Sequence, residues 1–120
     1  MTATSNSALD RPEFVLAVLE WLDGREVPAA VIDDAFTLLA SERRRLLLAV
    51  MTSYGEAITL PDAAEEVAVR ETGQAVTELS GEQVANVYLS LYHDHLPRLV
   101  DAGLLEYDQE RDLVSPAPLQ

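Results

Sequence analysis

Two places in this chain combine residue types at a spacing that suggests chemistry: His93-Asp94-His95 and Arg43-Arg44-Arg45. Two imidazoles separated by one residue share a face on a β-strand, where they could grip one metal ion. On a helix each residue turns about 100°, so the same pair points about 200° apart. The apolar residues around the pair recur at helical spacing. The chain has no cysteine, and no third ligand stands at a useful distance in sequence. The expectation is no metal and no cofactor, with one histidine packing or hydrogen-bonding where Pro97 removes a backbone donor.

Arg43, Arg44 and Arg45 form the only basic cluster, and Ser41 places it at a helix N-terminus, where the macrodipole disfavours cations. Asp33, Asp34 and Glu42 are the nearby carboxylates able to accept arginine forks. An external phosphate or acidic partner is the competing expectation, and it ranks second. Catalysis finds no footing. No serine or threonine has a histidine and acid arranged as a triad, Glu65-Glu66 reads as solvated surface, and the five glycines are too scattered for a phosphate loop. The chain is expected not to be an enzyme.

Composition narrows the classes further. The 120 residues suit one domain, and a 48% hydrophobic content can supply its core. The longest apolar run, Leu46 to Met51, is far short of the roughly 20 residues of a membrane helix. The polar stretch Met1 to Ala8 has no signal-peptide pattern, so a cytoplasmic protein without a membrane is expected. Acidic residues number 21 against 8 basic ones, giving a net charge of −13, and every basic residue is arginine. Such a charge repels itself in dilute salt, and molar salt screens it. A salt-adapted, halophilic source follows as the expectation.

The elements read as follows. Residues 1–8 form a disordered tail. Asp10 with Glu13 opens a first helix, which carries Phe14, Val18 and Trp21 on one face and stops at Gly24. A second helix, about Val31 to Ala40, turns Ile32, Ala35, Phe36 and Leu39 inward. Ser41 caps a third, ending at Gly55, and Ala57 to Leu60 is a short strand. Pro61 opens a fourth helix, ending at Gly73. Ser80 with Gln83 caps the longest helix, which Pro97 kinks near His93 and Gly103 ends. Leu104 to Tyr107 and Leu113 to Ser115 make a hairpin around Asp108 to Asp112. The order helix, strand, helix, helix, strand, strand predicts an α+β, mostly helical fold: a winged helix-turn-helix with an additional N-terminal helix. Its parts are a helical extension over 9–40, the winged domain over 41–115 and a loose tail over 116–120.

Two runs carry a family resemblance. Leu38-Leu39-Ala40-Ser41-Glu42-Arg43-Arg44-Arg45 and Leu91-Tyr92-His93-Asp94-His95-Leu96-Pro97-Arg98-Leu99, continuing through Ala102-Gly103-Leu104-Leu105-Glu106-Tyr107-Asp108, resemble a haloarchaeal winged-helix domain family of unknown function. The likeness spans roughly residues 30 to 115. It departs at Arg98, where that family often has lysine, and at the helix before residue 24. The resemblance implies a fold and a habitat, not a mechanism.

The functional expectation is a DNA-associated transcription regulator; the alternative is a winged-helix protein–protein interaction module without DNA binding. In this plan the long helix enters a major groove, where Gln83, Asn86, Ser90 and Arg98 are the candidates for base edges, with Arg111 in the wing. Electrostatics speaks against it. From Gly81 to Ala102 the helix carries Glu82, Asp94 and Asp101 against Arg98 alone, and the wing carries four carboxylates against Arg111. A homodimer is expected with Phe14, Val18 and Trp21 at its seam, double-stranded DNA is the conditional partner, and an unknown protein partner is the other.

Overall fold

The computed structural model describes residues 9–118, and its contacts divide the chain into a unit up to Asp34 and a unit from Ala35 onward. The expected tail over residues 1–8 lies outside the described residues.

In the first unit, helix α1 spans Arg11–Leu22. Asp10 accepts from the Glu13 amide at 3.0 Å while Glu13 accepts from the Asp10 amide at 3.2 Å, so two of the orphan donors of the first turn are satisfied. At the other end the Arg25 guanidinium donates to the Trp21 carbonyl and lies 4.1 Å above the Trp21 ring. Helix α2, Ala29–Leu39, begins in this unit and ends in the next. Phe36 and Leu39, expected on its inner face, are exposed; Leu38 is the residue that packs on the core.

The second unit holds α3 (Glu42–Tyr54), β1 (Ile58–Thr59), α4 (Leu60–Thr72), a single tight turn at Val76–Glu78, α5 (Gly81–Ser90), α6 (Leu96–Asp101), β2 (Leu105–Asp108) and β3 (Leu113–Pro116). The fold is α+β and mostly helical, with one small antiparallel sheet in the order β1-β3-β2. Its register pairs Ile58 with Val114 and Tyr107 with Val114, so Val114 sits at the centre and is fully buried. Polar caps set the helix starts: Ser41 accepts from the Arg44 amide, Thr59 from Asp62 and Ser80 from Gln83. Gly55, Gly73 and Gly103 end helices at φ of +68° to +78°, where a Cβ would be strained.

Helix α4 packs between α3 and α5. Its buried face is Leu60, Ala63, Ala64, Val67 and Ala68, and the three alanines let its neighbours approach closely. Leu47, Val50 and Met51 fill the core from α3, and Leu91, Leu96, Leu99 and Leu105 from the C-terminal half. Burying a leucine fully stabilises by about 1.5–3 kcal/mol, so these few side chains carry much of the fold.

The expected kink takes the form of a π turn over Leu91–His95, where the Leu96 amide reaches back five residues to the Leu91 carbonyl. Pro97 offers no amide to the His93 carbonyl, and its ring would clash with it in a regular helix. One wider turn relieves both. Pro116 closes β3 opposite Leu105, and the Ala117 amide donates to Leu104. Pro116 fits because β1 pairs only with residues 113 and 114, so no partner on that side needs its missing donor.

Candidate recognition surfaces

The three consecutive arginines are held within the chain, though not by the carboxylates nearest in sequence. Arg43 makes a two-pronged pair with Glu71 in the last turn of α4, at 2.8 and 2.5 Å. That pairing, opposed by partial burial, holds the guanidinium above its ordinary pKa. Arg44 donates to the Leu38 carbonyl at 2.7 Å and the Thr37 carbonyl at 3.0 Å, and Arg45 donates to Leu39 at 2.5 Å. These carbonyls belong to the last turn of α2, and that of Thr37 also accepts from the Ala40 amide at 3.4 Å. The negative end of α2 thus offsets the cost of cations at the positive start of α3. Arg44 also lies 3.3 Å from His95 Nδ1. A guanidinium only donates, so a hydrogen bond here uses that nitrogen as acceptor and the neutral ring with its proton on Nε2, while Asp94 Oδ2 lies 3.8 Å from the same nitrogen. Burial, reinforced by Arg44, Arg43 and Arg98 and opposed by Asp94, pushes the His95 pKa down.

The residues nominated for base contacts are distributed unevenly. Gln83 is spoken for: its carbonyl accepts from the Ser80 amide at 2.8 Å and its amide donates to Gln74 at 3.2 Å. Arg98 pairs with Asp94 one turn earlier at 2.6 Å, which pulls the aspartate below the usual carboxylate range. Arg111 lies 3.4 Å from Asp108 in the β2–β3 turn and remains largely exposed. Asn86 is exposed on α5 and Ser90 is half-buried. Beside this face, the start of α5 and the Val76–Glu78 turn enclose an open apolar groove of about 630 Å³. Val76, Leu79, Val84 and Leu89 line it, with Glu65 at its edge.

A cluster that residue types alone do not announce joins α5 and the π turn to the β2–β3 hairpin. Tyr88 donates to Asp112 Oδ2 at 2.9 Å and Tyr107 donates to Asp112 Oδ1. Tyr92 lies between them, stacked with Tyr88, edge-on to Tyr107 and hydrogen-bonded through its hydroxyl to Gln109. Burial first, then the bonded carboxylate, raises the pKa of both Tyr88 and Tyr107 above that of a free phenol. The available signal was the spacing of Tyr88 and Tyr92 at i, i+4, which puts both rings on one helix face. Glu71 had no comparable signal, lying 28 positions from Arg43.

Of the nominated seam, Phe14 is 59% and Trp21 60% exposed, and Val18 is half-buried. No residue of α1 is buried. Among the described residues, no group of histidine, aspartate and glutamate is arranged to hold a metal ion, and no helix is long and apolar enough to cross a membrane.

The elements and surfaces define a helical α+β domain with a three-stranded sheet and an acidic long helix. Residues 36–115 match the family model described as Domain of unknown function (DUF7344), and the chain belongs to that family. No curated protein and no solved structure matches the chain.

Proposed function

We propose that this chain is a winged-helix module that works through protein contacts. The observation that carries the reading is the engagement of its arginines. Arg43, Arg44, Arg45, Arg98 and Arg111 each meet an acceptor of the chain itself, and the face a groove-reading helix would present is net negative. Moving any of them to a phosphate breaks an existing bond and leaves its carboxylate or carbonyl to be resolvated. The apolar groove edged by Glu65 suits instead a protein segment with apolar side chains flanked by basic ones. Fluorescence anisotropy in molar potassium chloride, with genomic fragments and a scrambled control, tests the reading. No saturable binding is expected up to high micromolar protein; sequence-dependent saturation would overturn it.

The order of elements favours a second reading, a DNA-associated regulator, because a helix followed by a hairpin is the arrangement that enters a major groove. Under it Arg98→Ala weakens specific binding, and Arg111→Ala weakens binding to all sequences alike. Either reading accommodates a homodimer through Phe14, Val18 and Trp21, since a 12-residue helix with no buried residue is marginal in water without a cover. Removing residues 1–24 should then give a monomer by light scattering in high salt; a truncated chain that is still dimeric places the seam elsewhere.

A further inference from the structure

The π turn has a consequence separate from either reading of partners. Its Tyr92 and His93 line a cleft of about 480 Å³ together with Asp101 and, from the β2–β3 hairpin, Tyr107 and Gln109. The Tyr92 ring stands nearly perpendicular to both neighbours, at 87° to His93 with centroids 4.9 Å apart and at 77° to Tyr107 at 6.2 Å. In such edge-to-face contacts the rim of one ring meets the face of its neighbour, and an aromatic face is the negative part of the ring's quadrupole. Asp101 brings a full negative charge. No arginine lines the cleft, and Arg98 is turned to Asp94. The volume falls in the range of small-molecule sites.

Aromatic walls, one carboxylate and no arginine favour a ligand that is both greasy and positively charged. An anion or a phosphate meets repulsion there, and a bare metal ion finds too few oxygen ligands. We infer that this cleft binds a small organic cation of the alkylammonium class, held by cation–π contact with Tyr92 and Tyr107 and by Asp101. In dilute salt the net charge of −13 also raises the local concentration of any such cation.

The test uses the full chain, followed by amide chemical shifts during titration with choline and with dimethylbutanol, its uncharged carbon isostere. Choline should saturate, with shifts confined to residues around Tyr92, His93, Tyr107 and Gln109, and the isostere should bind at least tenfold more weakly. Asp101→Asn, an exposed change that leaves the core intact, should weaken choline several-fold without affecting the isostere. Tyr107→Phe keeps the ring and should keep binding; Tyr92→Leu should lose at least tenfold. Equal binding of the isostere, shifts that map elsewhere, no saturation, or an Asp101→Asn protein that binds choline unchanged would each overturn the proposal.

Discussion

Asp112 is the residue on which the β2–β3 hairpin depends, and its replacement makes a graded test. Its carboxylate accepts two tyrosine hydroxyls, its carbonyl accepts the Leu60 amide at 2.8 Å, and its φ is +55°. A hydrogen bond to a charged group is worth about 1.5–3 kcal/mol, and the half-exposed setting argues for the low end, so the two together contribute roughly 2–3 kcal/mol. Left-handed backbone costs alanine roughly 1 kcal/mol, and aspartate or asparagine less. Asp112→Ala should therefore destabilise by about 3–4 kcal/mol. Asp112→Gly loses the same bonds but relieves the backbone, and should cost about 1 kcal/mol less than alanine. Asp112→Asn keeps an acceptor and tolerates the conformation, at a cost of about 1 kcal/mol. Urea denaturation in molar potassium chloride reads all three, and a double-mutant cycle with Tyr88→Phe isolates the side-chain bond. Glycine costing as much as alanine would refute the backbone argument. An additive cycle would refute the hydrogen-bond argument.

Three further outcomes are expected. The melting temperature should climb as potassium chloride rises from 0.1 to about 1 M, where the Debye length falls to about 3 Å, because the charge of −13 is then screened; a flat profile removes the basis for salt adaptation. Ser80→Ala should cost about 1 kcal/mol in chemical denaturation, since it deletes the acceptor for the Gln83 amide, and no change would mean the cap contributes nothing. His95 has its pKa depressed in the fold, so the unfolded chain binds its proton more readily. The stability it contributes is complete above the ordinary value near 6.5 and falls as pH drops from there toward the folded pKa. His95→Gln should flatten that part of the stability profile relative to the parent, and an identical slope in both proteins would contradict the neutral assignment.

Much of the framework was legible because it is encoded locally. Asp10, Ser41 and Ser80 begin helices by hydrogen bonds spanning three residues, and Gly55, Gly73 and Gly103 end them by a backbone conformation that only glycine adopts freely. Val87, Leu91 and Leu99, which recur at helical spacing along the long helix, are likewise buried. Pro97 marked the irregularity in the long helix, but its form as a π turn depends on how Leu96 re-pairs, which the local pattern does not encode. The site was less legible. That Arg43 turns to Glu71, and Arg44 and Arg45 to the end of α2, follows from how helices distant in sequence pack. Phe36 and Leu39 satisfied the periodicity of an inner face and are exposed nonetheless, because periodicity identifies a face without saying what covers it.

The position of β3 between β1 and β2 has a kinetic implication. Ile58 finds its partner Val114 only across more than fifty intervening positions, whereas β2 meets β3 through a short turn. Non-local pairings of this kind form late, since the loop entropy must be spent before the contact is gained. The helices should therefore assemble around α4 first, with Ile58 and Thr59 waiting as an open edge until the hairpin docks. During that interval the slot for Val114 stands empty and the intermediate exposes apolar surface. The step that seals the core is thus the arrival of the last strand. Substitutions at Val114 should accordingly act mainly by speeding unfolding, and those on α4 by slowing folding.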